Sequence, residues 1–259
     1  MKTPEAFLLE GGSIFVKRNV LHTAILVEHP KGKFLFDTGL GTNIQEQFDQ
    51  NPFHLKILMA YKNHESALVQ LLKAGYDPKQ IDQIYLSHMH WDHASGIKDF
   101  PWAKIFVSRE EHNTALIADI KDGYIQSQFD GDRISWGELN FDDISYESYS
   151  KSLNLFGDGS VVFVPMMGHG GGSIGMFLNL SSKKRYFFTG DIAWIKEGFT
   201  LPAHKPRVSR RIADADPVAL GKELFRVHEL VIRKPEIVLI PAHDSIAQES
   251  LATFPKWNE

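Results

Sequence analysis

The chain has 259 residues, 43% of them hydrophobic, and a formal net charge of -4. A chain of this length can bury a large core, and no run in it approaches the roughly 18 apolar residues of a membrane span. The acidic balance argues against a nucleic-acid partner, and the absence of cysteine excludes disulfides and thiolate metal ligands. The first residues lack the apolar stretch of a signal peptide, so we expect a cytoplasmic protein with no membrane partner.

The N-terminal part of the sequence predicts strands followed by a helix. Short apolar runs predict strands near residues 13–16, 23–27 and 33–36. A helix is predicted over residues 65–73, because an apolar face recurs at helical spacing and Gly75 follows as a stop signal. That face consists of Ala67, Leu68, Leu71 and Leu72.

The rest of the chain alternates strands with helices. Apolar runs predict strands near residues 84–86, 161–164, 186–188 and 237–240. A long helix begins after Asp216, a good capping residue, with Pro217 at its first position, and Pro235 ends it. Its apolar stripe consists of Leu220, Leu224, Val227 and Val231. This alternation favours an α/β architecture, and without a linker or composition break we expect a single domain over residues 1–259.

The most distinctive segment follows the predicted strand at residues 84–86. Three of the twelve histidines and one aspartate lie within six positions: His88, His90, Asp92 and His93. Neutral imidazole and carboxylate are ligands that a borderline divalent ion such as zinc accepts. In extended chain His88 and His90 project to the same side, whereas Asp92 and His93 need a turn that aims them at a second ion. A loop that merely contains several histidines explains this clustering poorly.

Four other polar motifs follow predicted strands in the same way. They are Asp37-Thr38-Gly39, Gly168-His169-Gly170, Thr189-Gly190-Asp191 and Pro241-Ala242-His243-Asp244. Loops held at strand ends by a rigid scaffold commonly carry chemistry. Glycines on both sides of His169 permit a sharp turn and a close approach to a metal or substrate, although alone they would indicate an ordinary flexible loop.

Together these motifs resemble the metallo-β-lactamase superfamily. The run from His88 to His93 is similar to its HxHxDH signature, and the other four motifs match the rest of its pattern between residues 37 and 243. The resemblance implies a four-layer αβ/βα sandwich and a centre of two divalent metal ions, with zinc expected. It assigns one ion to His88, His90 and His169 and the other to Asp92, His93 and His243. Asp191 would bridge both ions, and Asp37 would orient a ligand by a hydrogen bond.

Within this superfamily the closer resemblance is to the acyl-homoserine-lactone lactonases, on the segments after Asp191 and Asp216 and on the aromatic Trp91. It implies quorum-quenching hydrolysis of a small-molecule lactone or ester, with N-acyl homoserine lactones as the expected substrates. By this resemblance Asp191 would hold the ions, which would supply hydroxide from water to attack the carbonyl, and Asp92 would protonate the leaving oxygen. Two alternatives stay open: a thioesterase or phosphoester hydrolase on the same metal core, and a metal-holding binding or signalling protein.

One position departs from the lactonases, which usually carry a tyrosine where this chain has Trp194. Indole donates one hydrogen bond and accepts none, so it cannot replace a phenol hydroxyl. Three interpretations of this difference are open. The metals alone hold the substrate carbonyl, Trp194 forms an apolar wall for a different substrate, or Trp194 is part of the core.

Further candidates for substrate contact lie outside the motifs. An apolar stretch covers residues 48–61 and includes Phe48 and Phe53. Three interpretations are open for it: an acyl-chain channel, a homodimer contact, or burial in the core. His22 and His204 lie in segments that can reach the site. The basic cluster over residues 204–211 either meets an anionic substrate or a phosphate backbone, or is a solvated loop with paired charges.

Overall fold

The computed structural model describes residues 2–62, 65–131 and 133–259. The strands are β1 (Lys2–Pro4), β2 (Lys17–Asn19), β3 (Ile25–His29), β4 (Gly32–Phe36), β5 (Gln83–Tyr85), β6 (Lys104–Val107), β7 (Ser135–Glu138), β8 (Leu153–Asn154), β9 (Val161–Pro165), β10 (Ile174–Asn179), β11 (Arg185–Phe188) and β12 (Ile237–Ile240). The helices are α1 (Glu5–Leu8), α2 (Ile44–Asp49), α3 (Phe53–Leu58), α4 (Ala67–Lys73), α5 (Trp91–Ala94), α6 (Arg109–Ile117), α7 (Glu197–Thr200), α8 (Arg207–Ala213), α9 (Pro217–Arg233) and α10 (Ser245–Gln248).

These elements form two compact units. The first comprises residues 22–139, and the second comprises residues 2–21 together with residues 140–259. The single domain expected over residues 1–259 stays a prediction. Among the described residues, every helix is too short or too polar to cross a membrane.

The first unit is built on a sheet of strand order β3-β4-β5-β6-β7. Strands β3 and β4 form an antiparallel hairpin, and β4 to β7 run parallel. Phe34, Leu35 and Phe36 are all buried, as expected for a parallel strand that is covered on both faces. Because Phe36 pairs with Tyr85, the segments after β4 and β5 leave the sheet side by side. Asp37 and the histidine run therefore start at one edge.

The second unit is built on a sheet of strand order β12-β11-β10-β9-β8. Strands β11 and β12 are parallel, with Phe188 opposite Ile240, and the other neighbours are antiparallel. The ends of β11 and β12 therefore lead in parallel into the segments that carry Asp191 and His243. A small strand pair, β1 with β2, also belongs to this unit.

Helix α9 forms where it was predicted, and it packs on the second sheet. The side chain of Asp216 accepts hydrogen bonds from the N–H groups of Val218 and Ala219, so it caps the helix start. The predicted stripe residues Leu220, Leu224 and Val227 are buried in one cluster with residues of β9 to β12, and Val231 packs against it. The capping and stripe predictions for this helix are confirmed.

Two local predictions are wrong. Residues 13–16 form a turn rather than a strand, because Ser13 Oγ accepts hydrogen bonds from the N–H groups of Phe15 and Val16. Phe15 is 88% exposed, and the strand begins only at Lys17. Helix α4 is present, with a Ser66 cap and Gly75 beyond its end, but Leu72 on the expected apolar face is 58% exposed.

Candidate metal centre

In the first unit, the histidine run places three rings together. His88, His90 and His93 are at most 6% exposed. The centre of the His88 ring lies 4.6 Å from the centre of the His90 ring and 4.1 Å from that of the His93 ring. His88 offers one ring nitrogen within 4.8 Å of a nitrogen of each neighbour. The short helix α5 supplies the turn that was predicted after His90. His88 is therefore close enough to His90, and separately to His93, for each pair to contribute nitrogens to a cation.

Asp37 orients one of these rings. Its Oδ2 accepts a hydrogen bond from His93 Nδ1 at 2.9 Å, and its Oδ1 accepts one from the N–H of Ser87 at 2.7 Å. Asp37 has a φ of 58°, a left-handed conformation that is uncommon for residues other than glycine. The backbone is therefore held in a costly conformation at a position where the carboxylate meets the histidine run.

Glu111 holds the backbone between the two first histidines. It is fully buried, and its Oε1 accepts hydrogen bonds from the N–H of Met89 at 2.8 Å and from the hydroxyl of Tyr124 at 2.9 Å. Sequence reasoning missed this residue. Ser108 and Glu111 stand at capping-box spacing, and Ser108 does accept from the Glu111 N–H, but the glutamate reaches across to Met89 instead.

His22 lies against Asp92. Its Nδ1 is 3.0 Å from Asp92 Oδ2, and because a carboxylate only accepts, the imidazole donates this hydrogen bond. The ring also packs against Trp91, which belongs to a buried cluster rather than to an open surface. His93 Nε2 approaches the same Asp92 oxygen at 3.9 Å. The structure thus places His22 beside a candidate ligand.

In the second unit, two candidate histidine ligands converge on one oxygen atom of a third candidate, Asp191. Asp191 Oδ2 lies 2.9 Å from His243 Nε2 and 3.5 Å from His169 Nε2, and all three residues are at most 5% exposed. Trp194 donates its indole N–H to the same oxygen at 2.9 Å. Asp191 is therefore the point at which the loops after β9, β11 and β12 meet.

The other nitrogen of each ring determines what these contacts mean. His243 Nδ1 donates to the carbonyl of Leu21 at 2.6 Å, and His169 Nδ1 donates to Asp214 Oδ1 at 2.8 Å. In a neutral imidazole with Nδ1 protonated, Nε2 carries a lone pair. Both lone pairs face the carboxylate of Asp191, an arrangement that calls for a cation between them. Hydrogen bonds of this kind at the outer nitrogen are typical of metal-binding histidines.

The donor set fits a borderline divalent ion. Imidazole nitrogen and carboxylate oxygen in buried surroundings are typical of zinc sites, and manganese, iron and cobalt accept the same donors. In the first unit His88 Nδ1 lies 3.0 Å from the hydroxyl of Ser87, so this ring also has its outer nitrogen engaged. The buried residues of both units are therefore suited to hold metal ions.

Gly168 fixes the backbone next to His169. Its φ is +112°, and a Cβ atom at this position would lie 2.3 Å from the backbone nitrogen of Leu220 in α9. The carbonyl of Gly168 accepts from the N–H of Asp216, and that of His169 accepts from the N–H of Ala215. The loop thus requires glycine here and is tied to the start of α9.

Lys205 and Asp214 form a buried ion pair beside His169, and sequence reasoning missed Asp214. Their side chains are 1% and 0% exposed, and Nζ lies 2.7 Å from Asp214 Oδ1. Burial by itself raises the pKa of Asp214, but the Lys205 cation and the hydrogen bond from His169 outweigh it and hold that pKa below its usual value. The solvated-loop reading of the basic cluster is wrong for Lys205, whereas Arg210 does pair with Glu10.

The residues predicted to touch substrate fall in different environments. Phe48 is buried against Trp91 and Tyr61, whereas Phe53 at the start of α3 is 78% exposed. His204 packs against Gly221 of α9, and burial followed by the Arg210 cation lowers its pKa. Substrate contact by Phe48, Phe53 or His204 stays a prediction.

The chain is similar to known proteins over most of its length. A family model for the metallo-beta-lactamase superfamily matches residues 18–254. The N-acyl homoserine lactonase AttM of Azorhizobium caulinodans is 28% identical over 175 residues, which cover 65% of this chain and 64% of AttM. The N-acyl homoserine lactonase AiiA of Bacillus thuringiensis subsp. kurstaki is 24% identical over 235 residues, 90% of this chain and 84% of AiiA.

A solved structure shows the same fold. The crystal structure of a B. thuringiensis AiiA mutant, with N-decanoyl-L-homoserine bound at its active site, matches with a TM-score of 0.76 at 20% identity. The match covers 99% of this chain and 94% of that one. The prediction of an α/β metallo-β-lactamase fold is confirmed, and the chain belongs to the metallo-β-lactamase superfamily.

Proposed function

We propose that this protein is a metal-dependent hydrolase that opens the lactone ring of N-acyl homoserine lactones. The observation that carries the proposal is the pair of imidazole Nε2 atoms, of His243 and His169, that face Asp191 Oδ2 at 2.9 and 3.5 Å. Nitrogen and oxygen lone pairs at these distances need a shared cation. The lactonase activity of the relatives AttM and AiiA supports the choice of reaction.

The ligands follow the family pattern. The proposed ligands are His88, His90, Asp92 and His93 in the first unit and His169, Asp191 and His243 in the second, with zinc as the expected metal. Two such ions, when bound, supply a nucleophile derived from water at neutral pH and stabilise negative charge on the carbonyl oxygen. Asp37 keeps His93 oriented through the hydrogen bond to its Nδ1.

Asp92 is the proposed proton donor. Ring opening breaks the bond between the carbonyl carbon and the ring oxygen, and the departing oxygen needs a proton. Asp92 is 8% exposed, and the hydrogen bond from His22 at 3.0 Å fixes its carboxylate. We infer that Asp92 takes a proton from the attacking water and delivers it to the ring oxygen, which leaves a hydroxy acid as the product.

The contact between Trp194 and Asp191 supports a second candidate activity. Its N–H is directed at Asp191, so this side chain does not offer the substrate carbonyl the hydroxyl that a tyrosine would. Substrates whose carbonyl or phosphoryl oxygen is held by the metals alone suit such a site. Thioester or phosphoester hydrolysis on the same metal core is therefore the second candidate function.

The first experiment compares zinc-loaded protein with an Asp191→Asn variant. Hydrolysis of a short-chain and a long-chain acyl-homoserine lactone is followed by proton release. We expect kcat/KM above about 10⁴ M⁻¹s⁻¹ for the wild type and near-complete loss in the variant. Background rates on both lactones with metal bound would contradict the lactonase proposal. Thioesters and phosphodiesters would then be tested as substrates. Turnover that survives in the variant would contradict the role of Asp191, whereas bound metal without turnover on any of these substrates would favour a metal-holding binding protein.

A further inference from the structure

Lys205 is a cation enclosed in the protein beside two of the proposed ligands. Its side chain is 1% exposed, and its Nζ lies 2.7 Å from Asp214 Oδ1 and 3.3 Å from the carbonyl oxygen of Ile192. The ammonium also lies 5.3 Å from the ring centre of Trp194, within the range of a cation–π contact. Lysine is almost never fully buried unless it is paired, so these contacts are what stabilise the buried charge.

The partners of Lys205 each hold one proposed ligand. Asp214 Oδ1 accepts the hydrogen bond from His169 Nδ1 at 2.8 Å, and Trp194 donates its N–H to Asp191 Oδ2 at 2.9 Å. The same ammonium lies 3.5 Å from His169 Nδ1 itself, farther than the Asp214 oxygen that accepts from that nitrogen, and it is one contact away from Asp191 through Trp194.

Asp214 depends on this arrangement for its orientation. Its Oδ1 receives both the lysine and the histidine, whereas its Oδ2 is buried without a hydrogen-bond partner among the described residues. A buried carboxylate with one unsatisfied oxygen is costly, and the lysine charge compensates for that cost.

Resting on the metal centre proposed above, we propose that Lys205 is a positioning residue for that centre. Through Asp214 it keeps the hydrogen on His169 Nδ1, so that Nε2 presents its lone pair to the ion. Through Trp194 it strengthens the donor that holds Asp191, because a positive charge over the indole face polarises the N–H. Lys205 touches neither substrate nor metal in this role.

A purely structural ion pair gives a different expectation. Replacing both members of a buried ion pair by neutral groups of similar volume is often neutral for folding, whereas removing one member leaves a buried charge unpaired. The double variant Lys205→Met/Asp214→Asn is therefore the informative one. It should fold with a melting temperature near that of the wild type while it loses the charge that positions His169.

The test measures metal binding and ring tautomer on the full chain. Zinc affinity is measured by competition with a chromophoric chelator, and the ¹⁵N shifts of the His169 ring are recorded in the metal-free protein. We expect two zinc ions per wild-type chain and a single Nδ1-protonated tautomer. In the double variant we expect one ion bound roughly 10- to 100-fold more weakly, as for lost outer hydrogen bonds to metal ligands, and mixed tautomers.

A matched control separates this effect from the loss of any ion pair. Arg185 and Glu147 form a pair at 2.6 Å in the same unit, and the variant Arg185→Met/Glu147→Gln should retain both zinc ions at wild-type affinity. If the Lys205→Met/Asp214→Asn variant binds both ions as tightly as the wild type and keeps one tautomer, the inference about Lys205 is overturned while the metal centre stands. If the wild type itself binds no zinc, both the proposed metal centre and the positioning role of Lys205 are contradicted.

Discussion

At the scale of single residues, Trp194 makes three different contacts with one ring. Phe7 stacks on it with 6.0 Å between ring centres, Lys205 lies over it, and the N–H donates to Asp191. The side chain is half-buried, so it packs in the protein and also supports a candidate ligand. The alternatives of an apolar wall and a core residue each describe only part of this environment.

Replacing Trp194 tests the bond to Asp191. Trp194→Phe keeps an aromatic ring but removes the donor, and a hydrogen bond to a charged group contributes about 1.5–3 kcal/mol. We expect kcat of the zinc-loaded enzyme to fall roughly 10-fold or more, with KM little changed. Trp194→Tyr, measured in parallel, restores a donor and should recover part of the rate. An unchanged kcat in Trp194→Phe would contradict this role.

The contact between His22 and Asp92 gives a second prediction. An asparagine amide can donate from nearly the place of His22 Nδ1, whereas phenylalanine cannot. We expect kcat/KM of His22→Phe to fall roughly tenfold and that of His22→Asn to stay near the wild-type value. Steady-state kinetics on one lactone suffices. Equal losses in both variants would mean that ring packing against Trp91 matters rather than the hydrogen bond.

The residues that support the ligands were less predictable than the ligands. Spacing within a single loop brings His88, His90 and His93 together, so local sequence indicates them. Asp214 reaches His169 across 45 positions, and Glu111 reaches Met89 across 22, so only the folded chain reveals these bonds. Lys205 was read as part of a surface cluster because sequence does not show burial.

At the scale of elements, helix α3 and the segment before it divide into buried and exposed parts. Phe48 and Leu55 are at most 6% exposed, whereas Phe53 and Ile57 are 78% and 62% exposed. The interpretation of this stretch as core therefore applies to Phe48 and Leu55. The exposed pair remains the candidate for an acyl-chain contact or for a homodimer interface.

Phe53→Ser distinguishes these readings. Because the side chain is largely exposed, its loss should leave stability unchanged, while a lost acyl-chain contact raises KM for a long-chain lactone and not for a short one. Ile117→Ser, at another highly exposed apolar position, is the matched control. Sedimentation of both variants reports the oligomeric state. A change in mass without a change in KM would assign Phe53 to a homodimer contact instead.

Helix α9 carries a buried acid that predicts a pH effect on stability. Burial raises the pKa of the Glu223 carboxyl above its usual value, although the hydrogen bond from Tyr149 opposes the shift. A group with a raised folded-state pKa contributes stability below its unfolded pKa and loses it as the pH rises through the folded value. Relative to Glu223→Gln, the wild type should therefore become less stable from pH 4 to pH 8. Denaturant unfolding across this range measures the difference, and a pH-independent difference would contradict the shift.

The elements themselves were predictable where local signals agree. In α9 the cap, the proline and the apolar stripe all indicate the same helix, and the helix is there. Residues 13–16 look like a strand by composition, but the hydroxyl of Ser13 stabilises a turn, which apolar periodicity does not reveal. Strand order in the two sheets depends on pairing between distant segments, so no local pattern encodes it.

At the scale of the whole molecule, metal binding and folding should be coupled. A ligand that binds only the folded state stabilises it by about 2.7 kcal/mol when its concentration is 100 times the dissociation constant. We expect a strong chelator to lower the melting temperature and added zinc to restore it, with a smaller zinc effect in Asp191→Asn. Calorimetry with and without zinc measures both. Identical melting temperatures would contradict a metal centre in the folded protein.

The fold class was predictable because every polar motif follows a strand. Asp37 follows β4, and His169, Asp191 and His243 follow β9, β11 and β12. The alternation of strands and helices indicated an α/β fold, and the resemblance of these motifs to the superfamily implied the four-layer architecture. The number of domains, a homodimer and a cytoplasmic location depend on surfaces and surroundings rather than on strand order. They stay predictions.

Gly168 affects how substitution data on this protein should be interpreted. Any side chain there would collide with the backbone at Leu220, and the left-handed φ adds strain for every residue but glycine. In a saturation library, position 168 would tolerate no replacement, just as a ligand position would. Tolerance scores alone would therefore class Gly168 with the chemically active residues, although it has no functional group. Rescue by excess zinc, which helps weakened ligands but not a steric clash, would separate the two classes.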